Sequence, residues 1–173
     1  MLGASKRRPQ ASTRPHTIPA VTTSQSDLPW PGPRQLGAAA VILDDDQRVL
    51  LVKHTYGKLN WELPGGLSEA GESAAATAIR EVAEEVGIEV TDLRLAGLYY
   101  SEPGDMHHFA FLCSAGPGAK PRPSSPEISE LGFFPRDQLP RPMSDFTIRR
   151  IDDGLAGAAV TQITRVGPRV WFE

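Results

Sequence analysis

Three glutamates, Glu81, Glu84 and Glu85, fall within five residues of one another inside the stretch Trp61 to Ile88. On an α-helix, at about 100° per residue, they share one arc of surface beside an apolar arc of Ala78, Ile79, Val82 and Val86. Carboxylates at i, i+3 and i, i+4 repel each other unless something neutralises them. A divalent cation is a natural neutraliser, because hard cations prefer oxygen ligands. Charge alone also suits a solvated helix face, so the surroundings of the cluster decide between the two.

Those surroundings are ordered. Trp61-Glu62-Leu63 reads as a short strand that Pro64 ends, Gly65 and Gly66 form a turn, and a helix follows up to Gly87, whose type suits a left-handed C-terminal residue. Upstream, Ala38 to Leu43 is an apolar run that suits a strand covered on both faces. Asp44-Asp45-Asp46-Gln47 reads as a solvated turn rather than a metal loop, and Arg48 to Lys53 as the returning strand. His54, Tyr56 and Lys58 lie in a loop and can touch a ligand, though no spacing specifies one. Downstream, Glu89 to Leu98 is β-like and Glu102 to Asp105 a turn. Met106 to Ser114 alternates, with His107, Phe109, Phe111 and Cys113 on one face and His108, Ala110 and Leu112 on the other. Adjacent strand residues face opposite ways, so His107 and His108 do not share an ion. Glu127 to Phe134 reads as a strand, Asp145 to Leu155 as a helix capped by Ser144, and Val160 to Phe172 as a closing strand broken at Gly167-Pro168.

The 173 residues suit one domain, with 40% hydrophobic and 23% charged residues and a net charge of −3. Residues 1–35 hold Lys6, Arg7, Arg8, Arg14 and Arg34 against the single acid Asp27. With their prolines, they read as a disordered tail before a domain over 36–173. The body is correspondingly acidic, which argues against binding to nucleic acid. One cysteine, Cys113, excludes an intrachain disulfide and suits a reducing, cytoplasmic setting. No apolar run reaches membrane-spanning length.

From Gly66 to Ile88 the chain resembles the Nudix hydrolases, whose signature is G-x5-E-x7-R-E-U-x-E-E-x-G-U, with U a bulky aliphatic residue. Gly66, Glu72, Arg80, Glu81, Val82, Glu84, Glu85, Gly87 and Ile88 occupy the fixed positions without an insertion. The resemblance implies an α/β fold with a mixed β-sheet sandwiched between α-helices. It also implies a Mg²⁺- or Mn²⁺-dependent pyrophosphohydrolase acting on a small nucleotide: ADP-ribose, a nucleotide sugar, a modified nucleoside triphosphate or a dinucleoside polyphosphate. The metal set so implied is Glu81, Glu84 and Glu85 with the Gly65 carbonyl. Glu72 either joins them or pins the loop, and Arg80 stands behind the carboxylates and orients them.

By the same resemblance the general base is a signature glutamate, such as Glu81 or Glu85, or a loop glutamate. Glu127 sits where the antimutator branch carries a further metal-ligating glutamate, with Glu130 as the alternative. Tyr56, Tyr99, Tyr100 and Phe109 are candidates to stack a base. Two other readings are a nucleotide-sensing module without turnover and an isopentenyl-diphosphate isomerase, for which Cys113 alone is weak support. The oligomeric state, homodimer included, is left open.

Overall fold

The computed structural model describes residues 35–157, 159–160 and 163–173. The tail expected over residues 1–35 falls, apart from Gln35, outside them.

Strand β1 (Leu36–Ile42) is the spine of the domain, buried from Gly37 onward. Its period-2 alternation divides it between two cores. Ala38, Ala40 and Ile42 pack with Ala78, Val82 and Val86, whereas Ala39 and Val41 pack with Met143 and Ile151. The sequence expectation of a strand covered on both faces therefore holds. β1 lies in a five-stranded mixed sheet of order β4-β1-β6-β5-β9, made with β4 (Gly65–Leu67), β5 (Val90–Ser101), β6 (Met106–Ala115) and β9 (Thr164–Val166). It runs antiparallel to β4 and parallel to β6. A second sheet, β3-β2-β7, combines β2 (Val49–His54), β3 (Trp61–Glu62) and β7 (Ile128–Phe134). The closing strand expected over Val160 to Phe172 is two strands in different sheets. β9 joins the large sheet, and β10 (Trp171–Phe172) pairs with β8 (Met143–Ser144).

Among the described residues, two α-helices cover the core. Helix α1 (Ala74–Val86) begins at Ser73, whose hydroxyl accepts from the Ala76 amide, and ends at Gly87, whose φ is 66°. Its buried residues are Thr77, Ala78, Val82, Glu85 and Val86. Ile79, expected in the core, is 42% exposed. Thr77, bonded to Ser68 and Glu72, is buried on the other side of Ala78. Helix α2 (Asp145–Ala156) starts from the Ser144 cap. It rides close on β1: a Cβ on Gly154 would stand 2.8 Å from a Val41 methyl.

Candidate metal-binding active site

Gly65 and Gly66 carry the chain from β3 back along β1, in register with Ala39 and Ala38. The Ala40 amide fixes the entry by donating to the Pro64 carbonyl at 2.9 Å. A side chain at Gly65 would collide with β1 backbone, its Cβ 2.3 Å from the Ala38 carbonyl oxygen. At Gly66 a Cβ would fall 2.2 Å from Glu81 Oε1. The bare backbone of Gly66 is thus the space that the Glu81 carboxylate occupies.

Glu85 is the most enclosed of the three helix glutamates, only 5% exposed. Its Oε2 accepts from the Gly65 amide at 3.0 Å. Burial pushes its carboxyl up to about 8, the Gly65 bond opposes this, and Glu81, Glu127 and Glu62 push further in the same direction. Glu81 is also raised, first by burial and further by Glu84 and Glu127, while Arg80 pulls it down. Glu84 is more open, its side chain 57% exposed.

Arg80 organises this edge. Its Nη1 donates to Glu81 Oε1 at 2.9 Å and Glu84 Oε2 at 3.0 Å, and its Nη2 to the Leu67 carbonyl at 3.0 Å. Nε and Nη2 hold both oxygens of Glu72, each at 3.0 Å. Glu72 also accepts from the Glu69 amide and the Thr77 hydroxyl, and the Arg80 bonds hold its carboxyl down at about 2. The Thr77 and Arg80 contacts of Glu72 tie the 67–73 loop to α1, and its contacts with Glu69 close the loop on itself.

Among the described residues, no three His, Cys, Asp or Glu side chains already converge as a metal cage. Arg80 explains this, because it draws Glu81 and Glu84 toward itself while Gly65 holds Glu85. The donor set nonetheless fits a hard cation. Two half-buried or buried carboxylates, both raised in pKa, adjoin a glycine cradle, and their charges are incompletely matched.

The two outside candidates part company. Glu130 is paired with Lys53 at 2.9 Å on the sheet. Glu127 is exposed in the turn just before β7, with its charge felt by Glu81, Glu85, His54 and Tyr56. Of the aromatic candidates, Tyr99 is fully buried, donates to Asp153 at 2.6 Å and packs edge-on to Phe146, so it cannot stack a base. Tyr100 donates to Asp105 and packs against His107. Tyr56 is 51% exposed, and Phe109 lines a cavity of about 220 Å³ beside Gly65 and Gly66.

That cavity brings in residues that sequence reasoning missed. Glu62 and Arg150 form a buried ion pair at 2.7 Å in its wall, with Glu62 also accepting from Thr147 and the Leu63 amide. A carboxylate inside an apolar strand was the available signal for Glu62; its partner 88 residues away was not readable. A larger furrow of about 990 Å³, lined by Asp44, Asp92, Arg94 and Cys113 among others, contains none of the glutamates. Cys113 is a core thiol pushed up to about 12 by burial.

The NUDIX domain model matches residues 33–153. Nucleoside diphosphate-linked moiety X motif 6 of Xenopus laevis is 48% identical over 65 residues, 36% of this chain and 30% of that relative. The chain thus spans less than a third of that protein. A MutT-like protein of Streptomyces ambofaciens is 31% identical over 123 residues, 71% of this chain and 78% of its own. The crystal structure of a MutT NUDIX hydrolase from Burkholderia pseudomallei superposes with a TM-score of 0.59 at 27% identity, over 70% of this chain and 98% of that one. With the signature on α1 and the matched fold around it, the chain belongs to the NUDIX family.

Proposed function

We propose that this chain is a Mg²⁺-dependent pyrophosphohydrolase that cleaves the diphosphate linkage of a small nucleotide. The observation that carries the reading is the pair Glu81 and Glu85, set at the Gly66 cradle with raised carboxyl pKa values and a cavity alongside. Glu81, Glu84 and Glu85, with the Gly65 carbonyl, would hold the cation. Bound there, Mg²⁺ or Mn²⁺ would screen the anionic diphosphate and lower the pKa of a water. Arg80, bonded to Glu81 and Glu84, would orient both carboxylates at the cation site. Glu72 anchors the loop through Arg80 and Thr77, beside the same carboxylate edge. We assign the role of general base toward the attacking water to Glu127, which lies outside the helix but whose charge reaches Glu81 and Glu85.

The isomerase reading is disfavoured by the buried, high-pKa thiol of Cys113, which is poorly suited to proton transfer. No helix among the described residues is long and apolar enough to cross a membrane. The test is a panel of ADP-ribose, a nucleotide sugar, 8-oxo-dGTP and a dinucleoside polyphosphate, with Mg²⁺ and with chelator. Released nucleoside monophosphate, phosphate and pyrophosphate are quantified. Turnover of at least one substrate that chelator abolishes is expected. Tight binding without turnover would instead favour the sensing module.

A further inference from the structure

His54 ends β2 with its backbone amide donating to the Asn60 carbonyl at 3.0 Å. The residue is 9% exposed, and its ring lies flat on Tyr56, with centroids 4.7 Å apart and an interplanar angle of 12°. Among the described residues, its Nε2 is the one buried side-chain nitrogen or oxygen without a hydrogen-bond partner. Folded proteins seldom leave such an atom unpaired, and one left so is a candidate for ligand contact.

The ring lines the 220 Å³ cavity that also borders Gly65, Gly66, Phe109 and His108. The formal charges in that wall are Glu62, Arg150 and Arg169, and Glu62 is committed to Arg150, Thr147 and the Leu63 amide. Burial lowers the pKa of both imidazoles; for His54, Glu62 and Glu127 oppose this, and for His108, Arg150 and Arg169 add to it. With Glu62 offsetting Arg150, the remaining cation, Arg169, sits over the Phe146 ring at 5.4 Å. The His54, His108 and Phe109 side of the wall suits a group that hydrogen-bonds and presents an apolar face. A cavity this small holds one part of a nucleotide, with the anhydride left at the carboxylate edge next to Gly66.

We infer that His54 is a specificity-determining contact, its Nε2 hydrogen-bonding the uncharged moiety of the substrate, a nucleobase edge or sugar hydroxyl. The inference rests on the hydrolase reading for what the anhydride is, but concerns a separate end of the substrate. Tyr56 holds the imidazole plane, and Phe109 supplies the apolar side of the cavity.

The experiment compares wild type, His54→Phe and His54→Gln on the same substrate panel, with inorganic tripolyphosphate as an inhibitor lacking any neutral moiety. His54→Phe keeps the ring on Tyr56 but removes both nitrogens. It should raise KM for the preferred nucleotide about tenfold or more, with kcat changed less than about threefold. The inhibition constant of tripolyphosphate should stay the same, and His54→Gln should recover part of the lost affinity through its amide.

An unchanged KM in His54→Phe would overturn the inference, with solvent then satisfying Nε2. A KM and a tripolyphosphate constant rising together would also overturn it, by revealing a general distortion. Calorimetric titration of the same nucleotides reads the contact independently of chemistry. Absence of wild-type turnover would sink the hydrolase reading alone, while a nucleotide affinity lost in His54→Phe and not shared by tripolyphosphate would still support the His54 contact.

Discussion

Glu85→Gln is expected to lower turnover by at least about a hundredfold while leaving the fold intact. Metal-assisted charge stabilisation at a phosphoryl centre contributes several kcal/mol, and a hundredfold corresponds to about 2.7 kcal/mol. A neutral amide cannot replace the carboxylate toward a cation. It can replace the carboxyl toward the protein, because its oxygen still accepts from the Gly65 amide that now bonds Oε2 at 3.0 Å.

A pH signature accompanies this substitution. With the Glu85 pKa raised from 4.5 to about 8, the buried carboxyl contributes stability that is fully present below 4.5. That contribution is lost as pH rises toward 8, since the folded state then binds more protons than the unfolded one. Thermal unfolding of the metal-free protein at pH 5 and pH 8, read against Glu85→Gln, should show a smaller loss over this interval in the variant. Near-wild-type hydrolysis by the variant would remove Glu85 from the mechanism.

The largest expected effect on stability comes from Glu62→Ala. Arg150 is buried, stacked over Phe146 at 4.2 Å, and its pKa is lowered by burial despite Glu62. Removing Glu62 strands that guanidinium and frees the Thr147 hydroxyl and the Leu63 amide. Breaking a buried pair from one side costs about 3–5 kcal/mol. Replacing both partners by apolar residues of similar size, Glu62→Leu with Arg150→Met, removes the stranded charge and should recover most of the loss. Denaturant unfolding of the two variants measures this directly. A cost under about 1 kcal/mol for Glu62→Ala would mean that Phe146 and neighbouring dipoles suffice to hold Arg150.

What could be read from the chain was what local spacing encodes. The β1 run, the Ser144 cap and the Gly87 terminator each depend on residues a few positions apart, and each has its expected structure, whereas the three glutamates share α1 with Glu85 buried and Glu84 open. Ile79 was misjudged because the face a helix buries is set by its packing partner. Here Ala78, Val82 and Val86 are buried as the apolar arc requires, but the buried face extends to Thr77 and Glu85 and leaves Ile79 at its edge. Tyr99 looked like a base-stacking candidate, yet the long pairing of β5 with β6 turns it under α2 onto Asp153 and Phe146.

The Glu62–Arg150 pair and the orphaned His54 nitrogen share a different cause. Each depends on which distant elements close around the cavity, and no local pattern carries that information. The match of family and fold supports the hydrolase reading, whereas the assignment of Glu81, Glu84 and Glu85 to the metal rests on their chemistry and placement.

Anomalous diffraction from crystals soaked in Mn²⁺ tests that assignment most directly. A peak within coordination distance of the Glu81 and Glu85 carboxylates, lost in Glu85→Gln, is the predicted result. No peak at this edge, or one that persists unchanged in the variant, would contradict it.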